Sequence, residues 1–215
     1  MKESTHTFRG KTFRMLEGST HPAYSLTCFE TEEKDFREQY WDPKPGQVVV
    51  DAGASYGSYT LSAAAMGATV IAFEPDNAIF LDLLRNVEEN GFQDRVTIQR
   101  LGLWDRTDSV DLKSYAPHWP AGTVANTFAM VPLDSFDLQQ VDWLKIDIEG
   151  AEAHALRGAV KTIARCKPTL IVEVHTFLDP TLMAKCEAAI ADSGVEYWLE
   201  EVSRGECAML IGRAA

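Results

Sequence analysis

The stretch VVVDAGASYGSYT, from Val48 to Thr60, carries most of what this sequence predicts about its fold. Three valines lead directly into Asp51, and Gly53 and Gly57 follow just before a helix-forming run. A second apolar run, TVIAFEPD, then brings in Glu74. A strand, a glycine turn, a helix N-terminus and a later acidic residue are how α/β folds bind a nucleotide-like ligand.

The spacing of the glycines narrows the class of ligand. The dinucleotide pattern G-x-G-x-x-G requires glycine where Ser55 and Ser58 stand, so an NAD-dependent oxidoreductase is disfavoured. The order Asp51-x-Gly53-x-Ser55-x-Gly57 fits instead the looser turn of methyltransferases that bind S-adenosylmethionine. We therefore predict a methyl donor at this turn rather than a hydride carrier.

Each part of the turn has a physical role in binding the donor. Gly53 and Gly57 allow a close backbone approach, and the helix N-terminus beyond them offers N–H groups to the donor's carboxylate. Glu74 is placed to accept hydrogen bonds from ribose hydroxyls, each contributing on the order of 1.5–3 kcal/mol. The predicted donor-binding residues are Asp51, Gly53, Ala54, Ser55, Tyr56, Gly57, Glu74, Pro75, Gly102, Leu103, Trp104 and Asp147.

Length, charge and cysteine content limit the other classes of function. At 215 residues the chain can bury one sizeable core, and its net charge of -12 argues against a nucleic-acid partner. No apolar run is long enough for a bilayer, and the first thirty residues lack a signal peptide's apolar segment, so we expect a cytoplasmic protein without a membrane partner. No C-x-x-C pair is present, so we expect free thiols rather than zinc or disulfides at Cys28, Cys166, Cys186 and Cys207.

Strand and helix patterns alternate from Gln47 onward. Strands are predicted at 47–51, 69–73, 95–101, 141–148 and 169–174, and helices at 55–66, 77–90, 151–166 and 180–193. Two last strands, 195–202 and 207–211, are predicted to form a hairpin that turns at Arg204-Gly205. Repeated βα units with such an ending predict an α/β protein with a doubly wound, mostly parallel sheet and an antiparallel terminal hairpin.

Two segments depart from this alternation. Residues 1–45 contain a strand or hairpin in FRGKTFRML and an amphipathic helix in ETEEKDFREQYW, with Phe36, Tyr40 and Trp41 as its apolar contacts. We interpret residues 1–45 as an extension packed on a core domain of residues 46–215, placed where it could close over the ligand.

The second departure is residues 104–135. Two short strands, 109–113 and 128–133, flank the Pro- and Gly-rich run SYAPHWPAGTVANT. A loop of this length is usually functional, and the sequence leaves open a substrate-side lid or a plain surface insertion. An aromatic part of an acceptor pocket is suggested by Trp104, Tyr115, His118 and Trp119.

The segment LKIDIEGAEAHALRGA is the second strong signal for function. Asp147 ends a predicted strand and is expected to face the transferred methyl group, while Glu149 comes just before a helix, whose dipole its charge also favours. Glu152 and His154 lie further into that helix and are expected to face solvent. At the end of the next predicted strand, Glu173 and His175 project to the same side. The predicted catalytic residues are Asp147, Glu149, Glu173 and His175.

These residues allow more than one mechanism. A hydroxyl acceptor must lose its proton, and Asp147, Glu149 or His175 could be the general base. Alternatively, Asp147, Glu173 and His175 could gather around a divalent metal, although His175 would point to a softer ion than Mg²⁺. The sequence leaves this divalent metal open without favouring it. A non-catalytic module that only binds the donor is a further alternative, disfavoured by the polar groups at the acceptor position.

The order of these motifs resembles FkbM-type methyltransferases. The resemblance runs from Gln47 to His175 and rests on VVVDAGASYGSYT, AFEPD, an Asn-Gly, VPLDSF, LKIDIEGAE with a following RGA, and IVEVH. It implies a Rossmann-like class I methyltransferase fold with a seven-stranded sheet, S-adenosylmethionine as the donor, and O-methylation of a small-molecule acceptor such as a secondary metabolite or a sugar-containing compound. Carboxyl methylation remains an alternative, and the acceptor and the oligomeric state are not readable from the sequence.

Overall fold

A computed structural model of the protein describes residues 2–17, 34–111, 127–204 and 207–215. The strands are β1 (Lys2–Phe8), β2 (Lys11–Glu17), β3 (Val48–Ala52), β4 (Thr69–Phe73), β5 (Val96–Gln99), β6 (Gly102–Leu103), β7 (Asp108–Asp111), β8 (Thr127–Val131), β9 (Trp143–Ile146), β10 (Thr169–Val174), β11 (Tyr197–Arg204) and β12 (Cys207–Ala214). The α-helices are α1 (Lys34–Tyr40), α2 (Ser58–Ala65), α3 (Asn77–Glu89), α4 (Glu152–Arg157), α5 (Val160–Cys166) and α6 (Leu182–Ala191), and a 3₁₀ helix spans Leu133–Phe136.

The main sheet has seven strands in the order β11-β12-β10-β9-β3-β4-β5. The five strands from β10 to β5 are parallel, whereas β12 runs antiparallel to both of its neighbours. The predicted α/β fold with a mostly parallel sheet is therefore confirmed. Of the turn predicted at Arg204-Gly205, Gly205 lies outside the described residues.

Both faces of the sheet are buried, which explains why the strands read as continuous apolar runs. On one face Val49, Val70 and Ile171 pack with helix α2, and on the other Val50 and Leu144 pack with α4, α5 and α6. Because β3 lies in the middle of the sheet, its carboxyl end is surrounded by protein on both sides. Any ligand there meets residues from several strands.

The helix predicted over 151–166 is wrong in one respect, because it is two helices, α4 and α5, interrupted at Gly158-Ala159. A Cβ built on Gly158 would overlap the backbone oxygen of Trp104, so the chain passes too close there for a larger residue. The Gly158 oxygen also accepts a hydrogen bond from the Asp134 amide at 2.9 Å, outside the helical pattern. These contacts of Gly158 with distant parts of the chain therefore interrupt a helix that the apolar periodicity predicts to be continuous.

A small second sheet follows β5. Its order is β6-β8-β7, and it contains the two short strands predicted on either side of the long loop. Residues 112–126, which include Tyr115, His118 and Trp119, lie outside the described residues. Both interpretations of this loop, a substrate-side lid and a surface insertion, therefore stay predictions.

The segment before the main sheet forms a β1–β2 hairpin and helix α1, as predicted. Phe36 and Tyr40 are buried, and Trp41 is fully enclosed, donating from Nε1 to Ser62 Oγ at 3.0 Å. Asn86 on α3 accepts from the Leu16 amide at 2.6 Å and donates to the Tyr56 oxygen at 2.8 Å. The hairpin is thus tied to the same turn that the sequence marks for donor binding. Among the helices of the described ranges, none is long and apolar enough to cross a membrane.

Candidate functional site

The site lies where the order of strands in the sheet reverses. From β3 the chain first adds β4 and β5 on one side, then returns and adds β9 and β10 on the other. In open α/β sheets, ligands bind in the crevice that such a reversal opens at the carboxyl ends of the strands. After the roles that the sequence predicts, we call the ends of β3 and β4 with the intervening turn the donor half. The ends of β9 and β10 with the start of β12 are called the acceptor half.

The glycines of the donor half are required by their surroundings. Gly53 has φ +75°, and a Cβ there would overlap the backbone oxygen of Asp147. Gly57 has φ +101°, and a Cβ there would press on the side chain of Leu83. Ser55 also adopts a positive φ, of 50°, which is uncommon for a residue with a side chain. The turn is therefore held in one tight conformation against the end of β9.

Glu74 reaches back from the end of β4 to the same turn. It is buried, with Oε2 accepting from the Ser55 amide at 3.0 Å and Oε1 from the Asp76 amide at 2.9 Å. Burial raises the pKa of Glu74 to about 7, although these two hydrogen bonds oppose the rise. Each carboxylate oxygen has a further lone pair, so the side chain retains the capacity to accept from a ligand's hydroxyls.

Lys145, a residue that the sequence interpretation missed, joins the two halves. Its ammonium is buried, 3.2 Å from Asp51 Oδ1 and 3.5 Å from Asp147 Oδ2, and it donates to the Gly53 oxygen at 2.8 Å. Asp51 is fully buried and also accepts from Thr60 Oγ1 at 2.6 Å. Asp51 therefore supports the turn from inside. A lysine inside an otherwise apolar strand was the available signal, since a buried charge needs partners.

The acceptor half gathers the predicted catalytic side chains. His175 Nε2 lies 3.8 Å from Asp147 Oδ1 and 3.5 Å from Glu149 Oε2. The side chain of Asp147 is 30% exposed, whereas that of His175 is only 6% exposed. Glu173 and Cys207 also lie close to His175, with possible ligand atoms of the three residues within 4.8 Å of one another. The other three predicted catalytic residues therefore meet around the imidazole of His175.

Glu152 was expected to face solvent, and this expectation is wrong. Its side chain is fully buried, and Oε1 accepts from His175 Nδ1 at 2.8 Å and from the Gly150 amide at 2.9 Å. The turn before α4, in which Glu149 has φ +58°, directs this helix so that its first residue points inward. The sequence marked the acidic residue at the helix start but could not show which way that start faces.

The charges around His175 determine its protonation. Burial by itself lowers the pKa of His175, but the hydrogen bond with Glu152 and the neighbouring carboxylates outweigh burial and raise the pKa to about 9. The imidazole is therefore protonated at neutral pH in the absence of a ligand. An imidazole that is already protonated cannot accept a further proton, which argues against His175 as the general base.

The predicted donor-binding residues Gly102, Leu103 and Trp104 lie in and beside the small sheet. Leu103 is buried in the core, and the Trp104 ring stacks on His154 with centroids 3.9 Å apart. His154 also pairs with Asp105, at 2.5 Å, so it is not the purely solvent-facing residue that was expected. The role of this segment in donor binding stays a prediction.

Comparison with known families agrees with this geometry. The family described as the Methyltransferase FkbM domain matches residues 51–188, which include the donor half and, of the acceptor half, the ends of β9 and β10. The chain belongs to the FkbM methyltransferase family. The resemblance drawn from the sequence motifs is thereby confirmed.

Solved structures similar to this FkbM chain share its fold. One is the methyltransferase FkbM from Methylobacillus flagellatus KT, with a TM-score of 0.65 and 22% identity over 82% of this chain and 46% of that one. Another is a T. thermophilus 16S rRNA methyltransferase in complex with AdoMet and guanosine, with a TM-score of 0.56 and 18% identity, covering 100% of this chain and 50% of that one. At these identities the similarity is one of fold.

A curated relative matches a shorter stretch. The 23S rRNA (uracil(1939)-C(5))-methyltransferase of Chromobacterium violaceum is 31% identical over 70 residues, or 33% of this chain and 14% of that protein. The chain thus spans about a seventh (14%) of the length of this curated relative. It spans less than half (46%) of the FkbM structure.

Proposed function

We propose that this protein is an S-adenosylmethionine-dependent methyltransferase that methylates a hydroxyl oxygen of a small molecule. The observation that carries the proposal is the crevice between β3 and β9, which has Glu74 and the Gly53 turn on one side and Asp147 on the other. Family membership supports the reaction class, and neighbours of the same fold have been crystallised with AdoMet. Donor and acceptor would meet where the two halves touch.

The residues of the donor half fit the methyl donor. The tight turn brings backbone close to the crevice, and buried Glu74 offers acceptor oxygens for ribose hydroxyls. The first turn of α2 directs amides outward, as an amino-acid carboxylate requires. When bound, the sulfonium supplies an activated methyl group, so the protein contributes mainly orientation and exclusion of water.

We assign proton acceptance to Asp147. As the acceptor oxygen forms its bond to the methyl carbon and the carbon–sulfur bond breaks, the hydroxyl proton moves to the Asp147 carboxylate. The buried ammonium of Lys145, 3.5 Å from Asp147 Oδ2, holds this carboxylate in place. Because the Asp147 side chain is partly exposed, it can reach an acceptor in the crevice. Glu149, Glu173 and the imidazole of His175 border the acceptor and hold its polar groups.

The charge of the site favours a small molecule over RNA, although several similar proteins act on RNA. The chain carries 32 acidic and 20 basic residues, and the acceptor half concentrates carboxylates. A phosphate backbone would be repelled there, because nucleic-acid binding requires neutralisation by Lys and Arg. In the same proposal, residues 1–45 form an extension on the domain of residues 46–215, supported by the contacts of Leu16 with Asn86.

Two variants test the proposed function. Glu74→Ala should weaken S-adenosylmethionine binding in calorimetry by about tenfold or more, since it removes a charged acceptor. Asp147→Asn should lower kcat by about 10²–10⁴, the usual contribution of a general base, and should weaken donor binding less than Glu74→Ala does. Transfer of a labelled methyl group to a panel of hydroxylated small molecules, carboxylic acids and an RNA fragment gives the rate.

The matched control is Glu88→Ala. Glu88 is an exposed residue of α3, the helix that follows Glu74 in the chain. The variant should behave as the wild type in both measurements. Unchanged donor affinity in Glu74→Ala would reject the donor site, and labelling of the RNA fragment alone would reject the small-molecule acceptor. Donor binding without transfer to any acceptor would favour a non-catalytic module.

A further inference from the structure

The acceptor half contains a set of potential metal ligands with mixed chemistry. Atoms of Glu173, His175 and Cys207 that could each bind a metal all lie within 4.8 Å of one another. They come from two adjacent antiparallel strands, since Val174 of β10 pairs with Ala208 of β12. That register brings Cys207 beside His175 on the face that Glu173 shares. The sheet therefore holds a nitrogen, an oxygen and a sulfur donor in one place.

The other side of His175 is arranged as it is in metal-binding histidines. Its Nδ1 donates to Glu152 Oε1 at 2.8 Å, and Glu152 is fully buried. In metal-ligating histidines, the N–H of the ring nitrogen that does not bind the metal almost always donates to a carboxylate, a carbonyl or a water. This hydrogen bond fixes the orientation of the ring and raises the basicity of the ligating nitrogen. Because Nδ1 is engaged by Glu152, Nε2 is the ring nitrogen that remains for a cation.

The balance of charge also favours a cation. Four carboxylates, those of Asp147, Glu149, Glu152 and Glu173, surround the single imidazole of His175. The nearby cation Lys145 is already shared between Asp51 and Asp147. Carboxylates held this close together repel one another, and a bound cation would offset part of that repulsion.

We propose that Glu173, His175 and Cys207 bind a zinc-class divalent cation. A nitrogen, a carboxylate oxygen and a thiolate are the ligands that Zn²⁺ takes, whereas Mg²⁺ prefers oxygen alone. Binding would form the metal–sulfur and metal–nitrogen bonds as the Cys207 thiol and the His175 imidazolium each release one proton to solvent, the imidazolium from Nε2. Three protein ligands leave a fourth position, on the side of Asp147 and Glu149.

This open position gives the site a chemical use. An acceptor hydroxyl bound to the cation would be acidified, and its proton would pass to Asp147. That consequence rests on the proposed function, but the metal site does not, because it can be measured without any acceptor or donor.

The test is zinc binding by the full chain after treatment with a chelator. Calorimetry with ZnCl₂ should show one equivalent bound to the wild type, and Co²⁺ in its place should give the near-ultraviolet charge-transfer band of a thiolate ligand. Cys207→Ala should remove that band and weaken zinc binding by at least about tenfold, and Glu152→Gln should weaken it by about 10–100-fold as a supporting residue.

Cys166→Ala is the matched control, since Cys166 is a half-buried thiol whose Sγ faces the Leu138 oxygen, away from the cluster. It should bind zinc as the wild type does. Absence of zinc binding by the wild type, or unchanged binding and an unchanged cobalt band in Cys207→Ala, would overturn the proposal. Either failure leaves the methyl-transfer proposal intact, because donor affinity and labelling are measured separately.

Discussion

The donor half and the acceptor half share one crevice but are built in opposite ways. The donor half comes from a single strand–turn–helix unit and the next strand, with Gly53 and Glu74 only 21 positions apart in the sequence. The acceptor half collects Asp147, Glu152, His175 and Cys207 from three strands and a helix. A local unit can be recognised by spacing, whereas a site assembled from distant segments depends on how the sheet is ordered.

The two halves also differ in how their charges are satisfied. In the donor half, Glu74 is held by backbone amides, so the protein supplies neutral donors to a buried acid. In the acceptor half, carboxylates crowd around His175, and side chains satisfy one another. Backbone donors are fixed by the fold, but side-chain networks depend on each member. The acceptor half should therefore be more sensitive to single substitutions, and Lys145, which links the halves, most of all.

The largest expected effect is that of Lys145→Met. This change leaves the carboxylate of Asp51 buried without its cation, and breaking a buried ion pair typically costs about 3–5 kcal/mol. Urea unfolding followed by circular dichroism measures the loss in the free energy of unfolding. Lys185→Met is the control, because its pair with Asp179 is at the surface and should contribute at most about 1 kcal/mol. Equal losses in the two variants would show that Lys145 does not join the halves energetically.

Gly53→Ala should disrupt the turn of the donor half. Its positive φ costs about 1–2 kcal/mol for any other residue, and the added Cβ must also displace the backbone of Asp147. We expect S-adenosylmethionine affinity in calorimetry to fall by about 100-fold, which corresponds to about 2.7 kcal/mol. Gly91→Ala has a similar φ, +68°, with open space around the new Cβ, so it should keep wild-type affinity. Wild-type affinity in Gly53→Ala would mean that the turn does not contact the donor.

The smallest expected effect is a pH dependence of donor binding. Ionised Glu74 is the better acceptor for ribose hydroxyls, and burial raises its pKa to about 7, with Asp76 adding to the rise and Lys145 opposing it. Affinity should therefore increase with pH up to about 7 and then level off, so that binding at pH 6 is about tenfold weaker than at pH 8.

The measurement is calorimetry of S-adenosylmethionine binding across this pH range, with Glu74→Ala in parallel. The variant lacks the titrating carboxyl, so the difference between the two curves isolates Glu74 from the donor's own ionisable groups. A constant difference between pH 6 and 8 would contradict the assignment of this pH dependence to Glu74.

Several elements of the fold were predictable because their causes are local. The strands at 69–73 and 169–174 were predicted with the bounds the structure has, since short apolar runs between turn residues mark buried strands. The bounds of the helix predicted at 151–166 were wrong, because its interruption at Gly158 comes from the backbone of Trp104, a residue far away in the sequence. Periodicity cannot report a contact of that kind.

The residues of the site also divide into those with local causes and those that depend on distant contacts. Asp147, Glu149, Glu173 and His175 were identified because each lies at or just after the end of a strand, and parallel strands end at one edge of the sheet. Glu152 was placed on the wrong side of its helix, and Lys145 was overlooked, since both depend on what faces them. Cysteine spacing gave no reason to expect zinc, because Cys207 meets His175 only through the pairing of β12 with β10.

The sequence by itself determined the α/β alternation, the glycine turn from Gly53 to Gly57 and the acidic residue that follows it. These features are encoded within a few dozen neighbouring positions, where hydrophobic period and backbone conformation act directly. Only the tertiary structure decided which side chains meet around His175, and that Lys145 connects them to the turn. The order of strands in the sheet sets those meetings, and it is fixed by the packing of the whole core rather than by any local stretch of chain.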